Sequence, residues 1–90
     1  MLRLRFMAAF KKDRARAGRR GRDLDKLDSA MRRLASEELL EPRFHDHKLR
    51  GEWKEFRECH IESDWLLIYL VAGGEITFVR TGTHADLFDE

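Results

Sequence analysis

An apolar run in the second half of the chain constrains its fold most strongly. Residues 65–71 are almost all apolar, Gly73 and Gly74 follow, and residues 75–81 alternate apolar with polar side chains. A short apolar run flanked by turn residues is typical of a strand buried on both faces. Two adjacent glycines can both adopt the positive φ angles of a tight hairpin turn. These residues therefore predict an antiparallel hairpin whose first strand lies at the centre of a sheet.

A third strand is predicted over residues 53–61, with Glu62 and Ser63 as its turn into the central strand. If both turns are two-residue loops, Glu58 lies opposite Leu67, and Leu67 lies opposite Arg80. Alternate residues share a face. The face that we expect to be polar carries Phe56, Glu58, His60, Trp65, Leu67, Tyr69, Phe78 and Arg80. The opposite face, expected to be an apolar floor, carries Cys59, Ile61, Leu66, Ile68, Leu70 and Val79.

The first half of the chain predicts one strand and two helices. Apolar side chains alternate with arginines over residues 2–6, as in a half-buried strand. Residues 7–19 suggest a basic helix with a narrow apolar stripe, and residues 24–34 form a clearer helix with Asp23 as its N-cap. We therefore expect one α+β domain over residues 1–90. Its helix hairpin packs on one face of a four-stranded sheet, made of the N-terminal strand and the three-strand meander, and the other face is open and polar.

Charge is distributed unevenly along the chain. Residues 1–33 hold twelve Lys or Arg against four Asp or Glu, a charge of +8, whereas the remainder carries −7. A basic half suits RNA or an acidic protein partner, and ordinary solvated helix faces would also explain it. The sequence has no apolar run near eighteen residues, so we expect a cytoplasmic protein without a membrane span.

The expected polar face has the side chains that RNA cleavage requires. A base must remove the proton of the 2′-hydroxyl group, a cation must stabilise the charged phosphorane, and an acid must protonate the leaving 5′-oxygen. Histidines can serve as base and acid, and Arg80 can bind two phosphate oxygens with its planar fork. Phe88, four residues after His84, could stack on a splayed base. An open, solvated face would explain the same polar groups without a function.

A metal site is the alternative for the histidines. His45, His47, His60 and Asp64 are admissible zinc ligands. However, no pair among them has helical i, i+4 spacing, and the single Cys59 cannot supply a thiolate pair. We therefore predict no metal and no cofactor, and we interpret His45 as an exposed bystander.

Two segments resemble the YafQ branch of the RelE/ParE toxin superfamily. Residues 47–69 read HxLxGxWKxFRxxHIxxDWLLIY, and residues 78–88 read FxRTGTHxxLF. The resemblance implies a bacterial toxin that enters the ribosomal A site and cleaves mRNA, leaving a 2′,3′-cyclic phosphate. It also implies a protein that is monomeric alone and hetero-oligomeric with a cognate antitoxin, which neutralises it.

The resemblance also assigns roles to residues. Those implied to be catalytic are His47, His60, Asp64, Arg80 and His84, and those implied to bind substrate are Lys54, Glu58 and Phe88. His84 is implied as the general acid and Arg80 as the group that stabilises the transition state. The base is His60 or His47, with Asp64 orienting it or sharing the proton.

One position departs from the family pattern, because Glu58 stands where the best-known member has an aspartate. Two other functions remain open at this point: a superfamily toxin that inhibits gyrase or another target by binding alone, and an RNA-binding module that uses the basic helices. The set of histidines favours the nuclease, since the gyrase-directed members lack it.

Overall fold

The computed structural model describes residues 1–88, in which five strands and three helices are formed. In chain order they are β1 (Arg3–Phe6), α1 (Ala8–Arg19), α2 (Leu24–Ala35), β2 (His47–Lys48), β3 (Arg57–Glu62), β4 (Trp65–Ala72), β5 (Glu75–Gly82) and α3 (His84–Phe88). The strands form one sheet in the order β1-β5-β4-β3-β2, with β1 parallel to β5 and the other neighbours antiparallel. The α+β class is confirmed, but the prediction of four strands is wrong because it lacked β2.

The two long helices pack on one face of this sheet. Leu27, Met31 and Leu34 form the buried stripe of α2, and the carboxylate of Asp23 caps the helix by accepting the Asp25 N–H at 3.0 Å. The cap was predicted from the residue type, and the stripe from the spacing of Leu24, Leu27, Met31 and Leu34, of which Leu24 is only partly buried. The core that the helices share with the sheet consists of Phe10, Ala17, Leu27, Ala30, Met31, Leu34, Ala35, Cys59, Ile61, Trp65, Leu67, Tyr69, Ile76 and Phe78.

The β4–β5 hairpin follows the predicted register only near its turn. Gly73 and Gly74 have φ angles of 59° and 76°, and Tyr69 pairs with Phe78 as expected. A bulge between Ile68 and Tyr69 then shifts the register by one residue, so that Ile68 lies opposite Arg80. A bulge inserts one unpaired residue into a ladder, and no hydrophobic period announces it.

The β3–β4 register is also shifted by one residue. The turn lies at residues 63–64 and not at Glu62-Ser63, which moves each pairing by two residues, and an irregularity between His60 and Glu62 moves it back by one. Glu58 therefore faces Ile68 instead of Leu67. The two shifts cancel at the ends of the predicted row: Glu58 and Arg80 still lie in one row across the sheet, with Ile68 between them.

The shifts reverse the predicted faces of the central strand. Trp65, Leu67 and Tyr69 of β4 lie in the helix-covered core, and so does Phe78 of β5, although the prediction placed all four on the polar face. Cys59 and Ile61 of β3 lie in the core as predicted. Leu66 and Ile68 are paired with residues of the other face and are fully buried. The expectation of an open polar face is therefore wrong, because its central residues are shielded from solvent.

Within residues 1–88, no helix has both the length and the apolar character needed to cross a membrane.

Candidate active site

Two histidines share one buried carboxylate. The β2–β3 ladder places His47 directly opposite Glu58, and His60 follows Glu58 by two residues on the same face of β3. The Oε1 atom of Glu58 lies 3.6 Å from Nε2 of His47 and 3.5 Å from Nε2 of His60. The Glu58 side chain is only 7% exposed. A residue that the sequence placed among the substrate contacts thus lies between the two candidate bases.

The chain before β2 adds a third imidazole. His45 adopts a left-handed backbone conformation with φ 47°, and its carbonyl oxygen accepts from Nδ1 of His47. This contact leaves Nε2 of His47, which faces Glu58, as the nitrogen that would take up a proton. The His45 ring itself lies 5.3 Å from the His60 ring. His45 is exposed as predicted, and its contacts place it beside the other two histidines.

A second carboxylate holds His84, the first residue of α3. One oxygen of Asp64, Oδ1, accepts the backbone N–H of His84 at 3.0 Å and lies 2.9 Å from its Nδ1 atom. These two hydrogen bonds from His84 lower the pKa of Asp64. With Nδ1 donating to Asp64, Nε2 of His84 is directed away from the carboxylate. The resemblance paired Asp64 with the base, whereas the structure pairs it with His84.

A ring contact joins His60, which lies beside Glu58, to His84, which is held by Asp64. The rings of His60 and His84 lie 6.1 Å apart, and Phe88 lies 6.5 Å from His84, one helical turn further along α3. Trp53 meets Phe88 edge to face at 5.8 Å. Trp53 was not among the predicted site residues, although the WK dipeptide in the resembling segment was a signal for it.

Arg80 is held by a buried carboxylate of α1. Its Nε and Nη2 atoms donate to the two oxygens of Asp13 at 2.6 and 3.1 Å. Asp13 is 4% exposed and also accepts the backbone N–H of Thr81. The pKa of Arg80 is raised by this pairing, so the guanidinium is permanently charged. Sequence reasoning missed Asp13, yet it continues the inward stripe of α1 from Phe10 to Ala17, where a carboxylate needs a partner.

Lys54, another predicted site residue, lies apart from the histidines. It follows the short 3₁₀ turn Gly51–Trp53 and lines a separate groove of about 790 Å³ with Lys48 and Arg57. Of the histidines, His45, His47 and His60 line one wall of a cleft of about 880 Å³, and residues of α2 between Asp25 and Arg33 line the other. Among residues 1–88, no three potential ligand side chains come together in a geometry that would hold a metal ion.

The chain matches a family of known proteins over almost its whole length. Residues 2–89 match the family described as the bacterial toxin of type II toxin–antitoxin systems, YafQ. The class is therefore that of the type II toxins. Since the match spans almost all of the chain, the protein belongs to the YafQ family.

Relatives and solved structures agree with this assignment. The mRNA interferase toxin YafQ of Escherichia coli K12 is 40% identical over 86 residues, which cover 94% of each chain. A copper-bound mutant toxin from Helicobacter pylori superimposes with a TM-score of 0.94 at 42% identity, over 98% of this chain and 100% of that one. YafQ in the E. coli DinJ–YafQ complex gives a TM-score of 0.91 at 37% identity, over 98% and 99% of the two chains.

Proposed function

We propose that the protein is an mRNA endoribonuclease that acts in the ribosomal A site and is the toxin of a toxin–antitoxin pair. It cleaves by general acid–base attack of the 2′-hydroxyl group on the adjacent phosphodiester, which yields a 2′,3′-cyclic phosphate. The observation that carries this proposal is the convergence of three imidazoles on two carboxylates, with Glu58 beside His47 and His60 and with Asp64 on His84. The curated relative named an mRNA interferase supports the same activity.

His84 is the general acid in this mechanism. Asp64 accepts from Nδ1, which fixes the ring and leaves Nε2 to deliver a proton to the departing 5′-oxygen. The carboxylate also stabilises the charged imidazolium that must be present before the transfer. This is the same division of work that a carboxylate and a histidine perform in other acid–base sites.

His60 or His47 is the general base. The His60 ring lies 6.1 Å from the His84 ring, close enough for the pair to serve two oxygens of one phosphodiester. His47 reaches the same carboxylate, so Glu58 stabilises whichever ring becomes charged. Loss of cleavage in His60→Ala with retention in His47→Ala assigns the base to His60, and the reverse pattern assigns it to His47.

Arg80 is the cation that stabilises the phosphorane. Asp13 occupies Nε and one Nη2 proton, which leaves the Nη1 protons and the second Nη2 proton for phosphate oxygens. Phe88 and Trp53 provide aromatic surface beside His84 on which the base of the cut nucleotide can stack.

The experiment is an mRNA cleavage assay with the purified protein, in which 5′ ends are mapped with and without ribosomes. We expect cuts only on ribosome-bound mRNA and none with a folded His84→Ala variant. Equal cutting of free and ribosome-bound mRNA would contradict ribosome dependence, and full activity of His84→Ala would contradict the catalytic assignment.

The toxin role requires an antitoxin. The E. coli relative is known in a complex with DinJ. We propose that this chain acts in the cytoplasm, is monomeric alone and forms a hetero-oligomer with its own antitoxin. Co-expression with the product of the adjacent reading frame tests this: co-purification in a complex without mRNA cleavage is expected, and an unbound, active toxin contradicts it.

A further inference from the structure

A chain of alternating charges runs along α1 and joins β5 to α3. In spatial order its members are Arg80, Asp13, Arg16, Asp86 and Arg20. Each contact joins a cation to a carboxylate, and the distances from first to last are 2.6, 3.2, 3.7 and 2.8 Å. The chain therefore connects the strand that carries Arg80 with the helix that carries His84.

Asp86 fixes the start of α3. Its Oδ2 atom accepts the Thr83 N–H at 3.0 Å, and its own N–H donates to Oγ1 of Thr83 at 3.0 Å. This reciprocal pair is a capping box, which satisfies backbone groups that a helix start leaves free. Arg20 donates to the same carboxylate, and its hydrogen bond to Asp86 makes the largest contribution to a pKa of Asp86 far below the usual range. The residue that begins the helix, His84, lies inside this capped turn.

The junction between β5 and α3 is closely packed. A Cβ atom built on Gly82 would lie 3.0 Å from both Cβ and Oδ2 of Asp86, and 3.4 Å from Nη2 of Arg16. Contacts below about 3.4 Å force a neighbour to move, so this glycine lets the strand and the helix approach each other. The charged groups are thus held in a junction with little free space.

Arg16 contacts both carboxylates in this series of charged residues. The Nη2 atom of Arg16 lies 3.2 Å from Oδ1 of Asp13 and 3.7 Å from Oδ2 of Asp86. Asp13 holds the guanidinium of Arg80, and Asp86 holds the start of α3. Arg16 is one-third exposed, while its partners are 4% and 14% exposed, so solvent screens these pairs less than pairs at the surface.

We propose that Arg16 is a positioning residue that sets the separation between Arg80 and His84. This inference rests on the proposed function, in which these two side chains act on the same phosphodiester. Arg16 itself touches no reacting atom. It acts by bridging Asp13, which holds the cation, and Asp86, which caps the helix that begins with the acid. Small displacements of catalytic groups lower the rate of the chemical step without weakening substrate binding.

The test compares Arg16→Gln with Lys12→Gln, which removes one charge from the exposed face of the same helix. Each variant loses one positive charge, so a weakening of RNA binding that depends only on net charge is the same in both. We expect Arg16→Gln to lower kcat by roughly tenfold or more with KM changed by less than about twofold, relative to Lys12→Gln. A kcat within about twofold of the Lys12→Gln value would overturn the proposal.

Arg16→Lys keeps the charge and serves if Arg16→Gln does not fold. An ammonium group is a compact point charge that lacks the planar fork. We expect a kcat between those of the wild type and Arg16→Gln, or below the wild type if Arg16→Gln is unfolded. If Arg16→Lys has the wild-type kcat while Arg16→Gln has a lower kcat or is unfolded, the bridge needs only a positive charge. That result would overturn the proposal that the shape of the guanidinium positions the two groups.

A spectroscopic measurement separates this inference from the proposed function. The ¹⁵N resonances of Arg80 Nε and of the Thr83 amide report on the two ends of the junction. We expect both to shift in Arg16→Gln or Arg16→Lys and neither to shift in Lys12→Gln. If the wild type cleaves no mRNA, the proposed function is wrong, and unshifted resonances in both Arg16 variants would independently overturn the positioning role.

Discussion

Among the individual side chains, Glu58 is a carboxylate buried between two histidines. Its carboxylate is almost completely buried and has two imidazoles within 3.6 Å. Burying a carboxylate without partners is expensive, so this group is stable there because His47 and His60 accompany it. The glutamate that departs from the family aspartate is therefore placed to organise the candidate bases.

Replacing Glu58 by Gln tests this role. The amide has the same shape but cannot stabilise a charged imidazole, so we expect kcat to fall by roughly 10–100-fold with a smaller change in KM. Glu58→Asp should retain part of the wild-type kcat, because the shorter side chain keeps its charge and can still reach one of the two histidines. Single-turnover cleavage kinetics measure both effects, and wild-type rates in a folded Glu58→Gln protein would contradict them.

Replacing Asp64 by Asn tests whether this carboxylate supports His84 in the same way. Asn at this position keeps an oxygen for the backbone N–H of His84 but cannot stabilise its imidazolium. We expect Asp64→Asn to lower kcat by on the order of 100-fold while the melting temperature changes little. Kinetics and thermal melts of the same preparation provide the check. A loss of Tm that accounts for the loss of activity would indicate a structural role instead.

At the level of secondary structure, α3 depends on its cap more than on its length. It has only five residues, too few for a stable isolated helix, and Asp86 fastens it to both Thr83 and Arg20. Because the pKa of Asp86 is lowered in the folded protein, its contribution to stability is present above the unfolded pKa. That contribution is lost as the pH falls through the lower, folded value.

Asp86→Asn should therefore destabilise the protein by about 1–2 kcal/mol at pH 7, where the native carboxylate is charged. The difference between wild type and variant should shrink as the pH falls below about 4, because the carboxylate is then protonated in the unfolded protein while it is still charged in the folded protein. Chemical denaturation at several pH values measures it. A difference that does not depend on pH would contradict the assignment of the stability to the charged form.

Some secondary-structure elements were predicted from the sequence and others were not. The Gly73-Gly74 turn and the buried stripe of α2 were predicted because local residues determine them. Strand β2 has only two residues, so no alternation could reveal it. The start of α3 did carry a signal that the sequence prediction missed, because Thr83 and Asp86 have the spacing of a capping box.

The sheet register shows why the complete fold could not be derived from pattern. A turn displaced by one residue and irregularities in both the β3–β4 and the β4–β5 ladders shift the pairing, and such shifts depend on packing between distant residues. Both site groups on β3 kept their predicted face, whereas the central strand was reversed. The candidate site was recognisable because its residue types were in the sequence, but the partners Asp13 and His45 became evident only in three dimensions.

The reversed central strand gives a prediction for stability. Leu67 is fully buried in the core beneath the helices. The register predicted from the sequence had placed it on the polar face. We expect Leu67→Ala to lower the free energy of unfolding by about 2–5 kcal/mol. Urea denaturation measures this change. A loss below about 1 kcal/mol would match an exposed position and would contradict the observed packing.

The chemistry of the cut ends tests the central claim most directly. If three imidazoles and Arg80 promote attack by the 2′-hydroxyl group, the upstream mRNA fragment must end in a 2′,3′-cyclic phosphate and the downstream fragment in a 5′-hydroxyl group. Mass spectrometry of a short mRNA cleaved on ribosomes by the purified protein identifies both ends. The account predicts the cyclic phosphate with wild-type protein and no product with His84→Ala. A 3′-hydroxyl end paired with a 5′-phosphate would contradict it.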